Sequence, residues 1–396
     1  MKRAAAALER ALAQLDAAQL RRERTTLDAP AAAGPRLLAV SGGRPLVDFS
    51  SNDYLGLARH PALAAAMSAC AARRGAGSGA SHLVTGHGSE HARLEEELAA
   101  FTGRERALLF STGYMANLAV LAALAGRGER VLLDRLSHAS LIDGARLSGA
   151  RLQRYPHADA QAAARLLERD PRHTALIATD GVFSMDGDLA PLPQLAHAAH
   201  AADAWLVVDD AHGLGVVGAS GRGVLEHFGL SCSEVPILVG TLGKACGSFG
   251  AFVAGASDLI EFLIQKARTY IYTTALPQPV AAATRAALAL LQAESWRRER
   301  LHALIARFRR QAQAAGVPLS ASLTPIQPVV LGSAGSALAA QRQLQEAGLW
   351  VVAIRPPTVP AGSARLRVTL SATHTEAQVD TLVAQLAAIS AQARSS

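Results

Sequence analysis

One lysine, Lys244, stands in the stretch Gly240-Thr241-Leu242-Gly243-Lys244-Ala245-Cys246-Gly247-Ser248-Phe249-Gly250, directly after the apolar run Ile237-Leu238-Val239. Lysine is scarce here, since only Lys2, Lys244 and Lys266 are lysine among 39 basic residues. A guanidinium stays protonated and cannot act as an amine nucleophile, whereas a lysine amine can. Lys2 sits at the chain terminus and Lys266 in a helical pattern beside Gln265 and Arg268, which singles out Lys244. Other reactive residues also follow apolar runs: Ser111-Thr112-Gly113-Tyr114 after ALLF, Ser137-His138 after VLLD, Ser184 in GVFSMDGD after TALIAT, and Asp209-Asp210-Ala211-His212 closing WLVVDD. An amine, a carboxylate, two imidazoles, hydroxyls and a helix N-terminus that can seat a phosphate each find a separate task on one planar cofactor, pyridoxal 5′-phosphate. The amine forms the Schiff base, and a carboxylate keeps the pyridine nitrogen protonated so that the ring accepts electrons. Asp209 and Asp210 point to opposite faces of a strand, and the residue pattern alone leaves both open for that partner.

The elements that must position these residues are legible as alternation. Short apolar runs at 107–110, 131–134, 174–179, 205–210 and 237–240 are separated by helical patterns at 114–125, 158–168 and 192–202. This order predicts an α/β fold with a mostly parallel central sheet buried on both faces, and ligands gather at the carboxyl ends of such strands. A helical pattern follows over 279–315, and then PVVLG, WVVAIRPP and ARLRVTLSATH, read as a smaller α+β domain. Leu8, Leu12 and Leu15 recur at helical spacing near the start, so an amphipathic helix rather than a targeting peptide is expected there. The Ala/Pro/Gly-rich stretch 29–35 separates it from the body. The expected division is an N-terminal helical segment over 1–49, a large cofactor-binding domain over 50–290 and a small domain over 291–396.

Charge and composition exclude several classes. The net charge of +7 is spread along the chain without a polybasic block or interleaved aromatics, which argues against a nucleic-acid surface and fits a small anionic partner. No apolar run approaches the length of a membrane span. Cys70, Cys232 and Cys246 lack metal-site spacing, and their odd number fits reduced thiols in the cytoplasm; no metal is expected. Gly213-Leu214-Gly215-Val216-Val217-Gly218 matches a dinucleotide fingerprint, but Gly221 and Gly223 interrupt any following helix, and two aspartates would repel a pyrophosphate. His87-Gly88-Ser89-Glu90-His91 matches a zinc-peptidase pattern, but Gly86 and Gly88 weaken a helix at His87. A loop leading into a helix over 93–100 is expected instead.

Longer segments carry a family resemblance. SSNDYLGL (Ser50 to Leu57), LSHASL, DGVFSMDGD, VDDAHG, GTLGKACGSFG and IRPPTVPAGSARLRVTLSATHT resemble the α-oxoamine synthases, fold-type I pyridoxal-phosphate enzymes, from about Arg21 to about His374. The resemblance implies an acyltransferase acting in biotin biosynthesis. Its substrates would be L-alanine and a pimeloyl thioester, carried on coenzyme A or on an acyl carrier protein. A related ligase that joins glycine to acetyl-CoA is the alternative within the family. Lys244 would be the Schiff-base lysine, Asp209 the partner of the pyridine nitrogen, His212 the partner of the ring hydroxyl, and His138 the group stacked on the ring. Ser184 and Thr241 would contact the cofactor, and Gly113 and Tyr114 would offer donors near its phosphate. Thr273 or Thr274 would reach the phosphate of a neighbouring subunit in a homodimer. Arg21, Asn52 and Thr358 match substrate-contacting positions, and Arg355 the arginine expected to hold the amino-acid carboxylate. Leu214 and Cys246 depart from common family choices.

Overall fold

The computed structural model describes residues 2–28, 37–40, 43–170 and 174–395. Three strands lie near the start, β1 (Leu27–Asp28), β2 (Leu37–Val40) and β3 (Leu46–Asp48). Seven follow in the middle: β4 (Arg106–Phe110), β5 (Arg130–Asp134), β6 (Arg151–Tyr155), β7 (Thr174–Asp180), β8 (Trp205–Asp209), β9 (Ile237–Thr241) and β10 (Ala251–Gly255). Four close the chain: β11 (Ile326–Gly332), β12 (Leu349–Trp350), β13 (Val352–Ile354) and β14 (Ala364–Thr369).

The chain divides into two compact units: 1–52 with 185–187 and 300–396, and 53–184 with 188–299. This differs from the expected three parts, because the N-terminal segment shares a unit with the C-terminal portion. Pairing explains the difference, since β3 lies parallel to β12, with Leu349 opposite Val47. The expected separator at 29–35 lies outside the described residues.

In the 53–299 unit the sheet runs β4-β10-β9-β8-β7-β5-β6. Strands β9, β8, β7, β5 and β6 are mutually parallel, and β10 is antiparallel to both β4 and β9. The parallel prediction therefore holds for the centre. The central strands form because their residues are apolar on both faces: β5 and β10 are buried along their whole length. Leu108, Val131, Leu133, Leu176, Val207 and Val239 join one core with the helix Gly113–Leu124, which is apolar nearly all round. Truncating one of these, such as Leu133→Ala, costs about 2–5 kcal/mol. Strand order reverses between β5 and β7, so the crevice beyond their carboxyl ends is where a ligand is expected.

The other unit carries a four-stranded sheet, β1-β2-β3-β12, and a three-stranded antiparallel one, β11-β14-β13. Its N-terminal helix spans Lys2–Ala17 as expected, with Leu8, Leu12 and Leu15 exposed. The helical pattern over 279–315 resolves into two helices, Gln278–Ala293 and Trp296–Ala314. The break falls at Glu294 and Ser295, where the Ser295 hydroxyl donates to Glu299 Oε1 at 3.0 Å. Among the described residues no helix is long and apolar enough to cross a membrane.

Candidate active site

Lys244 lies in the connection between β9 and β10, at the same end of the sheet as the carboxyl ends of the parallel strands. The turn geometry follows from its glycines, though not by leaving room for a ligand. Gly247 has φ +62°, and a Cβ there would stand 2.2 Å from the Ala58 nitrogen; one at Gly240 would strike the Phe252 ring at 2.4 Å. These glycines let protein pack on protein, and of the two directly before Lys244 only Gly243 is open.

From this turn Lys244 Nζ meets His212 Nε2 at 2.8 Å, and His212 Nδ1 meets the Tyr54 hydroxyl at 2.6 Å. His212 follows β8, so an amine, an imidazole and a phenol form one chain of hydrogen bonds. Strand alternation then separates the two aspartates. The Asp209 carboxylate accepts from Asn117 Nδ2 at 2.6 Å and from the Ala211 N–H at 3.0 Å. Asp210 turns the other way and accepts the Val224 N–H at 2.9 Å, and burial pushes its carboxyl well above the usual range. Asp210 therefore braces the loop 211–223, while Asp209 is the carboxylate available to the crevice.

His138 caps the helix Ala139–Ser148, its Nδ1 accepting from the Ser140 N–H at 3.3 Å and lying 2.7 Å from the Ser140 hydroxyl. Burial, and secondarily Lys244, lowers its pKa against the opposing effect of Asp209, so the ring is neutral near pH 7. The backbone N–H of His138 donates to Asp180 Oδ2 at 2.9 Å. Asp180 is itself pushed well above the carboxylate range by burial and then by the neighbouring Asp209.

The helix Gly113–Leu124 opens at the predicted phosphate seat, with the Thr112 hydroxyl accepting the Met115 N–H at 3.2 Å. Tyr114 is exposed and its hydroxyl donates to Asp143. Thr241 Oγ1 donates to the Gly250 carbonyl at 3.2 Å, beside Lys244. Ser184 ends the segment after β7. Thr273 donates to the Thr269 carbonyl at 3.0 Å, and Thr274 is exposed. Leu214 and Cys246, the two departures, are core residues; burial pushes the Cys246 thiol up to about 12 and keeps it protonated.

Arg21, Asn52, Arg355 and Thr358 belong to the other unit. Arg355 donates to the backbone carbonyls of Gln19 and Arg21, and Arg21 pairs with Asp16 at 2.8 Å. Thr358 accepts from Arg22 at 3.0 Å. Asn52 Oδ1 accepts from Arg367, a buried arginine on β14 that also bonds Thr369 Oγ1 at 3.1 Å.

The sequence reading missed Tyr54, Asn117, Ser140, Asp180 and Arg367. Asn117 had a signal: a polar residue on an otherwise apolar helix, beside Ala116 and Val120. Arg367 had none: alternation puts it on the polar face of Ala364–Thr369, yet the whole strand is buried.

The donor set fits pyridoxal phosphate: a carboxylate held by Asn117, a neutral imidazole, an amine in contact with a second imidazole, and a capped helix N-terminus whose Gly113 meets no neighbour on the Cβ side. The two competing motifs do not survive. No helix follows Gly213–Gly218 until the five residues Val224–Phe228, and Glu90 of the zinc-peptidase pattern is bound to Arg285 at 2.7 Å instead of being available as a base.

Comparison with known proteins agrees. The chain is 59% identical to an 8-amino-7-oxononanoate synthase of Methylococcus capsulatus over 95% of this chain and 96% of that protein. It is 63% identical to one from Thioalkalivibrio sulfidiphilus over 88% and 89%. A serine palmitoyltransferase from S. paucimobilis with bound PLP superposes with a TM-score of 0.89 at 32% identity, covering 94% of each chain. An 8-amino-7-oxononanoate synthase from Francisella tularensis gives 0.76 at 34%, covering 87% of this chain and 97% of that one. The family profile described as aminotransferase class I and II matches residues 44–386. With that match and these relatives, the chain belongs to the aminotransferase class I and II family of fold-type I pyridoxal-phosphate enzymes.

Proposed function

We infer that this protein catalyses the decarboxylative condensation of L-alanine with a pimeloyl thioester, giving 8-amino-7-oxononanoate, carbon dioxide and the free thiol carrier in biotin biosynthesis. The observation that carries the chemistry is the Lys244 Nζ to His212 Nε2 contact of 2.8 Å, in a unit where Asp209 is held by Asn117. Near-full-length relatives of the same activity support the substrate pair.

Pyridoxal phosphate, when bound, supplies an electron sink that makes an amino acid's α-carbon nucleophilic. Lys244 is its attachment point and the base that moves the substrate's α-proton at Nζ. The chain from Tyr54 through His212 Nδ1 and Nε2 to Lys244 Nζ, at 2.6 and 2.8 Å, fixes the position of the amine rather than leaving it free to rotate. Asp209 holds a proton on the pyridine nitrogen, and Asn117 fixes its carboxylate. His138, neutral and held by Ser140, offers a flat face to the ring. Ser184 and Thr241 would contact the cofactor, and Gly113 and Tyr114 would line the phosphate seat.

Arg355 is proposed to hold the alanine carboxylate, and a second reading assigns this to Arg367. Arg355 is occupied by backbone carbonyls, whereas Arg367 is buried and bonded to Asn52, itself assigned to the substrate. Arg21 and Thr358 complete the acyl-substrate contacts. The protein acts as a homodimer in the cytoplasm, with Thr273 or Thr274 reaching the partner's phosphate. The exposed Leu8, Leu12, Leu15 and Tyr272 and the unpaired cysteines support that reading. Its check is the mass in solution by light scattering, with a monomer overturning it.

The test of function is direct. Purified protein should carry a visible absorbance band that borohydride abolishes, leaving the cofactor on the Lys244 peptide. Alanine with a pimeloyl thioester should be turned over faster than glycine with acetyl-CoA; the reverse preference moves the assignment to the glycine-using ligase.

A further inference from the structure

The fold gathers a second set of reactive side chains that the proposed reaction does not use. His82 begins a single π-helical turn, His82–Gly86; His87 follows it, and His91 lies in the first turn of the helix Ser89–Thr102. One ring nitrogen from each of the three lies within 4.8 Å of the others. His82 Nδ1 and His87 Nδ1 are 2.9 Å apart, and the three rings lie 5.1 to 5.6 Å from one another. His82 and His91 are buried, while His87 reaches solvent, which gives an entry path. We propose that His82, His87 and His91 bind one divalent transition-metal ion of the imidazole-preferring class, such as Zn2+ or Co2+, with water completing the coordination.

His91 already has the second contact of a metal ligand. A ligating histidine gives its outer N–H to a carbonyl or carboxylate, which fixes the ring and leaves the other nitrogen for the metal. His91 Nε2 donates to the Leu276 carbonyl at 2.6 Å, and His87 Nε2 faces Glu95 Oε2 at 3.9 Å. His82 is stacked on Tyr270, ring centroids 4.8 Å apart. Two adjustments are required. Tetrahedral ligation at about 2.0–2.1 Å separates nitrogens by about 3.3 Å, so the Nδ1 pair opens slightly. His91 Nδ1 also gives up the Gly88 N–H that it accepts at 3.0 Å. Because the Leu276 carbonyl also accepts from Ser78, and the Ala275 N–H bonds the Ala80 carbonyl, the ion would clip the 78–91 segment to 275–276. Glu90 is engaged with Arg285, so the site is structural rather than hydrolytic.

The test titrates Co2+ into the cofactor-loaded protein and follows the visible d–d bands and the melting temperature. The expected result is one Co2+ per chain with intense tetrahedral bands and a raised Tm. His87→Gln and His82→Asn should each weaken binding about 10-fold or more. His197→Gln, at an exposed histidine elsewhere, should leave it unchanged. His87→Gln keeps the Lys244 absorbance band, which verifies folding. Absence of saturable uptake overturns the proposal, as does uptake that neither His87→Gln nor His82→Asn alters, since the ion then sits elsewhere, the cofactor included.

Discussion

Around Lys244, polar side chains are held by other polar side chains: His212 by Tyr54 and Lys244, Asp209 by Asn117. In the other unit several are held by backbone: Arg355 on Gln19 and Arg21, Arg300 on Ala372 and His374, and His374 on the Asp48 carbonyl. The first arrangement couples groups that can exchange protons or bind charge; the second stitches segments that lie far apart in sequence. Burial alone does not separate these roles, since Asp209, Asp210, Arg367 and His374 are all buried. What a side chain bonds to does.

Several measurements would break or sharpen that contrast. The largest effect is expected for Lys244→Ala, which should lower kcat by about 10^3-fold or more and remove the borohydride-sensitive band. Next, Asp209→Asn should cost on the order of 10^2-fold in kcat/KM, while Asp210→Asn, whose side-chain oxygen can still accept the Val224 N–H, should stay within about 2-fold of the parent. Similar losses for both aspartates would end the distinction between them. Asn117→Ala should weaken cofactor retention about 10-fold, read by dialysis, through loss of its bond to Asp209. Arg367→Ala should raise KM for alanine about 10-fold, with Arg355→Ala acting mainly on stability; the opposite ranking restores Arg355 as the carboxylate holder.

The smallest effects are in pH dependence, and they run in opposite directions in the two units. Burial lowers the pKa of His374 from 6.5 to about 4, so the folded state takes up fewer protons there. Its contribution is complete above about pH 6.5 and fades as pH falls toward 4. For His157, burial is outweighed by hydrogen bonds to Asp134 and Asp188 at 3.1 and 2.9 Å, and the pKa rises to about 10. Its contribution is complete below about pH 6.5 and fades as pH rises through 10. Urea titrations of His374→Gln and His157→Gln across pH 4–10 should flatten the acid and the alkaline side of the stability profile, respectively.

The central sheet was legible because buried parallel strands are apolar on both faces. Strand β6, RLQRY, was not, since it is a sheet edge whose residues stay partly exposed and carry two arginines. The same logic applies to the site. Lys244, Asp209, His212 and His138 follow apolar strands, and strand ends converge. Asn117 and Tyr54 reach the cluster from a helix and a loop, where only tertiary packing brings them in. The clustering of His82 with His87 and His91 depends on a π-turn that no propensity announces. Nor does the stretch around Lys244 announce that Gly240 and Gly247 make room for Phe252 and Ala58.

Strand β3 has its hydrogen-bonded partner, β12, about 300 positions later in the chain, and the Phe49 carbonyl waits for the Thr369 N–H. During synthesis the 53–299 unit can close on itself while β3 has only β2 beside it and its other edge stays unpaired. Phe49, buried in the finished protein and stacked on His374, must therefore wait for that late residue to be made. The order of translation itself makes the first fifty residues the last to be secured.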